Sequence, residues 1–359
     1  MSSPFVFLDP YERKDNYRYF GREKETAQLY NAVFAANLTL LYGGSGVGKS
    51  SLVNCGLANK FYDTDWLPIY VRRSLNINEA LLHCLNEAMK QQQPDWVAQP
   101  DATPAALVER LYNAVYKPIF LIFDQLEELY ILGDAEQEQP LFHQHIKAIL
   151  ACSVQVKVVL SVREEWLANL NKFEKVVPAL YENRLRVEKM NDLNLMRVIV
   201  GSIKKADISI DLTEPTRTVP LILENLRDER DGIDLTNLQV YLDRLYRKDT
   251  ERKEKAGRDS IVFDPELVAK TGEMKNVLSD FIDEQLEQIE YELKLQGAPN
   301  PKGIPLEVLF TLVSPEGTRR PSNLSAIINN LPPNRQITEA QVLFCLEELA
   351  NIKLLRLSE

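Results

Sequence analysis

The stretch "LTLLYGGSGVGKSS", residues 38–51, decides the fold. Leu38 to Tyr42 form an apolar run that reads as a buried strand, and "KSSLVNCGLANKF" reads as the helix that follows. Between them Gly43, Gly44, Ser45, Gly46, Val47, Gly48, Lys49 and Ser50 match the phosphate-loop pattern G-x-x-x-x-G-K-[ST] at every fixed position. The glycines let backbone N–H groups converge on phosphate oxygens, and the start of the next helix favours the same negative charge. Lys49 is then expected to reach the β- and γ-phosphates and the Ser50 hydroxyl to bind Mg²⁺, with Ser51 adjoining them in the phosphate-binding set. A bare glycine-rich turn is the alternative. It is set aside because every fixed position is present in strand–loop–helix context.

A second stretch, "FLIFDQLEELY" (120–130), supplies the other half of a phosphate site. Four apolar residues lead into Asp124, a carboxylate at the end of a buried strand that can hold a metal ion directly or through a water. Many nucleotide hydrolases follow this aspartate with a glutamate that polarises the attacking water. Here Gln125 follows, an amide without basicity, and the chain turns acidic again only at Glu127 and Glu128.

Composition narrows the classes. With 359 residues, 45% of them hydrophobic, the chain can build two or three packed domains. Its four cysteines (Cys55, Cys84, Cys152, Cys345) show no metal or disulfide spacing, which implies a reducing cytoplasm. No run resembles a signal peptide, and no apolar stretch approaches the roughly 18 residues of a membrane span. A net charge of −10 and a pI of about 5.1 give no global attraction to nucleic acid or to an anionic membrane.

Four short apolar runs, "LTLLY", "WLPIYVR", "PIFLIF" and "VKVVLSV", alternate with helical spacing over Glu79–Lys90, Pro104–Tyr116 and Pro140–Ala151. That alternation predicts an α/β domain over 21–190, a P-loop NTPase parallel sheet with helices on both faces, after a lead segment at 1–20. Residues 91–103, polar with two prolines, read as a loop. Helical patterns over 191–272 predict a small helical domain, with the charge run 247–259, "RKDTERKEKAGRD", as a solvated loop. A long helix over 273–296 and three further helical patterns, ending in an apolar strand over 352–358, predict a linker helix and a winged-helix-like domain at 273–359.

The ordered set "YFGREKE" (19–25), "GGSGVGKSSLV", "FLIFDQLEEL", "VVLSVREEWL" and the terminal helical segment resembles the STAND class of P-loop ATPases, related to AAA+ proteins. The closest likeness is to the NACHT-like bacterial novel STAND family, across nearly the whole chain. The resemblance implies ATP or ADP with Mg²⁺ as cofactors. It also implies acidic residues three and four positions beyond the metal-holding aspartate, as at Glu127 and Glu128. Glu127 is the preferred water-orienting carboxylate, and solvated helix-start carboxylates are the alternative. It gives Arg163 a sensor role near the γ-phosphate, with an ion pair to Glu164 or Glu165 as the alternative. It sets Arg22, Tyr19 and Phe20 beside the adenine base, where core packing competes as the reading for Phe20.

Three departures stand beside this likeness. The stretch "GIDLTNLQVYL" (232–242) lacks the proline that relatives place against adenine, and all three histidines lie between 83 and 145, away from the terminal domain. There "TRR" (318–320) is a substitute cation source or a solvated loop. No effector or sensor repeat is recognisable, so the chain reads as a switch core cut from a longer protein or as a minimal relative working with separate partners. The leading expectation is a slow Mg²⁺-dependent ATPase switch. ADP would hold it off and ATP would favour self-association, in bacterial defence or signalling. A DNA-binding AAA+-like ATPase and a non-hydrolysing regulator are the other readings.

Overall fold

The computed structural model describes residues 3–6, 9–98, 102–210, 215–227, 232–313, 322–332, 335, 337–352, 354 and 355. Five strands, β1 (Leu38–Gly43), β2 (Leu67–Val71), β3 (Ile119–Phe123), β4 (Val156–Arg163) and β5 (Arg184–Arg186), form one sheet in the order β2-β3-β4-β1-β5. Every neighbouring pair is parallel. Parallel strands need crossover helices, and these cover both faces. Successive residues divide accordingly. Leu40, Leu121, Val158 and Leu160 pack into one core, and Leu41, Phe120, Ile122 and Val159 into the other.

On the first face lie α3 (Ile77–Gln92), α4 (Pro104–Val115), α6 (Glu138–Leu150) and α7 (Asn171–Val176), which contribute Leu81, Leu107, Phe142 and Phe173. The second face carries α1 (Glu23–Ala35) with Leu29 and Val33, and the helix that begins as α2 (Lys49–Ser51). That helix is π-wound over Leu52–Leu57 and tightens to 3-10 over Ala58–Lys60. Short α5 (Glu127–Ile131) follows β3. Burying each of these Leu, Ile or Phe side chains contributes roughly 1.5–3 kcal/mol. The Asn76 side chain caps α3, and Thr103 with Pro104 behind it caps α4, which is why both helices start where the polar residues stop. Helix α3 runs into the expected 91–103 loop as far as Gln92.

The next unit packs α8 (Asp192–Lys205), α9 (Pro215–Leu226), α10 (Leu235–Ala256) and α11 (Pro265–Thr271) around Ile199, Ile222, Leu238 and Tyr241. It also holds a two-stranded parallel sheet, β6 (Ser209–Ile210) with β7 (Val262–Phe263), which helical spacing alone did not reveal. The charge run at 247–259 is not a solvated loop: α10 continues through it to Ala256. Asp249 is fully buried and accepts from Arg252, Arg258 and the Val262 backbone N–H, while Arg252 also pairs with Asp264. These charges pair with one another and brace the helix against β7, while Glu251, Glu254, Lys255 and Asp259 stay exposed to solvent. Gly257, in the left-handed region at φ 63°, ends the helix.

The last unit is α12 (Met274–Leu295), α13 (Ile304–Thr311), α14 (Leu324–Asn330) and α15 (Glu339–Asn351), packed around Leu293, Val308, Ile327 and Cys345. The expected strand over 352–358 does not form in its described part. The N–H groups of Leu354 and Leu355 both donate to the Leu349 carbonyl, folding the chain back on α15. Both side chains pack on the helical core, and hydrophobic burial against α15 wins over extension. Residues 353 and 356–358, and the "TRR" segment, lie outside the described residues.

Candidate phosphate site

The C-terminal ends of β1, β3 and β4 meet at the phosphate loop. Gly46 and Gly48 hold φ 67° and 90°, left-handed backbone that side chains other than glycine rarely adopt. At Gly43 a Cβ would overlap the Val187 carbonyl that follows β5. Lys49 Nζ donates to the Gly43 and Gly44 carbonyls at 2.7 and 2.8 Å, lying back along the loop. Burial is the largest influence on this ammonium and lowers its pKa below the ordinary lysine value. The nearby Glu127 carboxylate opposes that shift. A phosphate anion at the loop would favour the charged form further.

Ser50 Oγ donates to Asp124 Oδ2 at 2.8 Å, so the two residues expected to hold a metal do meet. A hydroxyl and a carboxylate are hard oxygen donors, which suits Mg²⁺. Ser51 turns the other way, its Oγ accepting from the Tyr11 N–H at 3.1 Å.

Gln125 follows Asp124 out of β3 and turns the chain. It sits at φ 59°, in the left-handed region, at a cost of roughly 1–2 kcal/mol for a residue with a Cβ. The Asp124 N–H donates back to Val71 at the end of β2, whereas the Leu126 N–H donates to Ser161 in β4. The chain therefore crosses from the β2 side to the β4 side at Gln125, and Glu127 arrives at the end of β4. There Glu127 is buried, with Oε1 2.9 Å from Arg163 Nε and Oε2 accepting the Arg163 backbone N–H at 3.1 Å. Arg163, opposite Gly43 in the β1–β4 register, pairs with Glu127 and not with its neighbours in sequence; Glu164 pairs with Arg186. Glu128 is half-buried on the next position of α5.

Arg22 is buried and holds three groups together. It donates to the Val47 carbonyl of the phosphate loop, to the Glu188 carbonyl and to the Glu25 carboxylate, at 2.8, 2.8 and 2.6 Å. The ring of Phe20 lies on Gly201 of α8, where any Cβ would overlap it, and lines a cleft of about 550 Å³ with Met196, Arg197 and Val200. The Tyr19 hydroxyl is buried without a hydrogen-bond partner, and burial drives its pKa upward.

Two residues escaped the sequence reading. Arg72, directly after β2, places Nη2 2.6 Å from Asp124 Oδ2. Its only sequence signal is a cation closing the apolar run "WLPIYVR". Asp234 caps α10 by accepting from the Thr236 N–H, and it lies so close to Gly46 that a Cβ there would overlap its carboxylate. The Leu235 N–H donates to the Gly46 carbonyl at 3.2 Å, and the Leu235 side chain covers Gly48. The second unit thus rests on the phosphate loop.

A family model for novel STAND NTPase 1 matches residues 4–359. The chain belongs to the novel STAND NTPase 1 family. This STAND NTPase also resembles solved structures. The Aeropyrum pernix ORC1 protein in complex with DNA is 15% identical with a TM-score of 0.50, covering 98% of this chain and 89% of that one. The Walker-type ATPase of Pyrococcus abyssi is 18% identical with a TM-score of 0.50, covering 96% and 92%. The Aeropyrum pernix ORC2 protein, with ADPNP and ADP, is 15% identical with a TM-score of 0.50, covering 92% and 86%. At such identities the likeness is one of fold. No curated protein matches the chain. No helix among the described residues of this STAND NTPase is long and apolar enough to cross a membrane.

Proposed function

We propose that this STAND NTPase binds ATP and ADP with Mg²⁺, hydrolyses ATP slowly, and works as a cytoplasmic signalling switch, with bacterial antiviral defence as its leading role. Lys49 and the loop N–H groups hold the phosphates. Ser50 and Asp124 hold the metal, whose chemistry is to neutralise charge on the phosphate oxygens. Glu127 orients and polarises the attacking water in place of the glutamate that Gln125 replaces, and Glu128 is the second candidate for that work. Arg163 positions Glu127 and senses the terminal phosphate. Arg22 holds the loop from behind, and Phe20 and Tyr19 border the adenine.

The observation that carries the switch reading is the seat of α10 on the phosphate loop, through Asp234 and Leu235 on Gly46 and Gly48. A nucleotide that binds under this contact has different affinities for the seated and lifted arrangements, and it shifts their populations by that difference alone. ADP favours the closed form, and ATP an open form that self-associates or engages effector and sensor modules. Nucleic acid is not a favoured partner: α15, the helix a DNA-reading module would present, carries three glutamates and no lysine or arginine.

The decisive experiment denatures the purified chain and identifies released nucleotide by chromatography, alongside ATP turnover with and without Mg²⁺. Adenine nucleotide is expected to co-purify with the wild type, and Lys49→Ala to lose it, with affinity lowered by on the order of 100-fold or more. If the wild type binds no adenine nucleotide and Lys49→Ala behaves identically, the reading is wrong.

A further inference from the structure

We propose that Arg72 is a resident cation of the metal site: its guanidinium holds Asp124, competes with a divalent cation for that carboxylate, and so sets the metal dependence of nucleotide binding. This rests on the phosphate-site reading above and deepens it.

Arg72 Nη2 and Ser50 Oγ converge on one oxygen, Asp124 Oδ2, at 2.6 and 2.8 Å. That oxygen has two lone-pair directions, and both are in use. The carboxylate also has Oδ1, and the Ser50 hydroxyl can itself turn to a divalent cation, so the guanidinium competes through its charge: a hard cation on this carboxylate, or a water it carries, lies beside Arg72, and like charges repel.

The pairing is built by the sheet. Arg72 is the first residue after β2 and Asp124 the first after β3, Val71 and Phe123 being register partners. The Asp124 N–H donates to the Val71 carbonyl, which fixes the two exits side by side. The next residue, Arg73, is drawn away to buried Glu138 at 2.8 Å, and Glu138 also accepts the Ile77 N–H. Adjacent arginines are thereby sorted: Arg73 braces the start of α3, and Arg72 is left for the site.

Charge supplies the reason. The Asp124 side chain is only 13% exposed, and burying a carboxylate is costly unless a cation lies beside it. Arg72 provides one before a metal is present. At 30% exposure it retains a route to solvent or to phosphate oxygens once displaced, and its planar fork suits either anion. Two consequences of opposite sign follow. Without a divalent cation, Arg72 keeps positive charge beside the phosphates and supports nucleotide binding. With one, Arg72 is the competitor.

The test titrates a fluorescent ATP analogue into the full chain, in EDTA and across a magnesium series, for wild type, Arg72→Ala and Arg72→Lys. Arg72→Ala is expected to weaken binding in EDTA. It should also lower the magnesium concentration that gives half of the metal-dependent gain, by roughly fivefold to tenfold. Arg72→Lys should move both in the same directions by less. Thermal melting without nucleotide establishes folding; if Arg72→Ala melts below the assay temperature, Arg72→Lys carries the same readout. A magnesium half-point that is unchanged or raised overturns the proposal. The control separates the two layers. If the wild type binds and Lys49→Ala does not, the phosphate-site reading stands and Arg72 alone is judged; if the wild type does not bind, both fall.

Discussion

Two carboxylate–arginine pairs lie at adjacent strand ends, and they are built differently. Asp124 gives one oxygen to both Arg72 and Ser50. Glu127 gives each of its oxygens to a different donor of one residue, Arg163. The Glu127 side chain is 5% exposed against 13% for Asp124, while Arg163 is the more open of the two arginines at 40%. The first arrangement shares one carboxylate oxygen between two donors. The second clamps a carboxylate at a fixed orientation. Under the function proposed above, the first would serve exchange of a cation at Asp124 and the second orientation of a buried acid at Glu127.

The largest effect that would sharpen this contrast is on turnover. Glu127→Gln should keep nucleotide affinity within a few-fold and lower steady-state ATP hydrolysis by on the order of 100- to 1,000-fold. Glu128→Gln should stay within about threefold of wild type. If Glu128→Gln is the damaging change, the clamp at the end of β4 holds a structural carboxylate and the water-orienting role belongs to Glu128.

Arg163→Ala comes next. It removes the side-chain half of the clamp but leaves the backbone N–H, so hydrolysis should fall about tenfold. The magnesium half-point of nucleotide binding should not move. A metal shift like that expected of Arg72→Ala would break the comparison, since both arginines would then act on the metal.

The smallest effect lies at the seat of α10, which touches neither pair. Asp234→Ala removes a helix cap worth about 1 kcal/mol, read as a lower denaturant midpoint. It also removes the carboxylate resting on Gly46, so stopped-flow release of a fluorescent ADP should speed up several-fold. Unchanged release would detach the second unit from nucleotide exchange.

Much of this site was legible in the sequence because it is local. The phosphate loop and the apolar strands that present it are consecutive residues, and their conformations follow from glycine freedom, strand apolarity and helix start signals. Gln125 itself was legible as a departure, though its left-handed turn was not. Lost to sequence reading were partnerships across strands. Arg72 finds Asp124 because β2 lies beside β3; Glu127 finds Arg163 because β4 lies on the other side of β3; Asp234 finds Gly46 because α10 docks on the loop. The loop expected over 247–259 is helix as far as Ala256 for the same reason: much of the run is solvated as expected, but Asp249 is paired with Arg252 and Arg258 inside the fold, which depends on what packs against it. Composition and spacing determined the α/β phosphate-loop scaffold and its chemical inventory, since backbone preference acts over a few residues. Which acid meets which base was decided by the tertiary structure alone, because strand order and helix docking are settled by burial of apolar faces far apart in the chain.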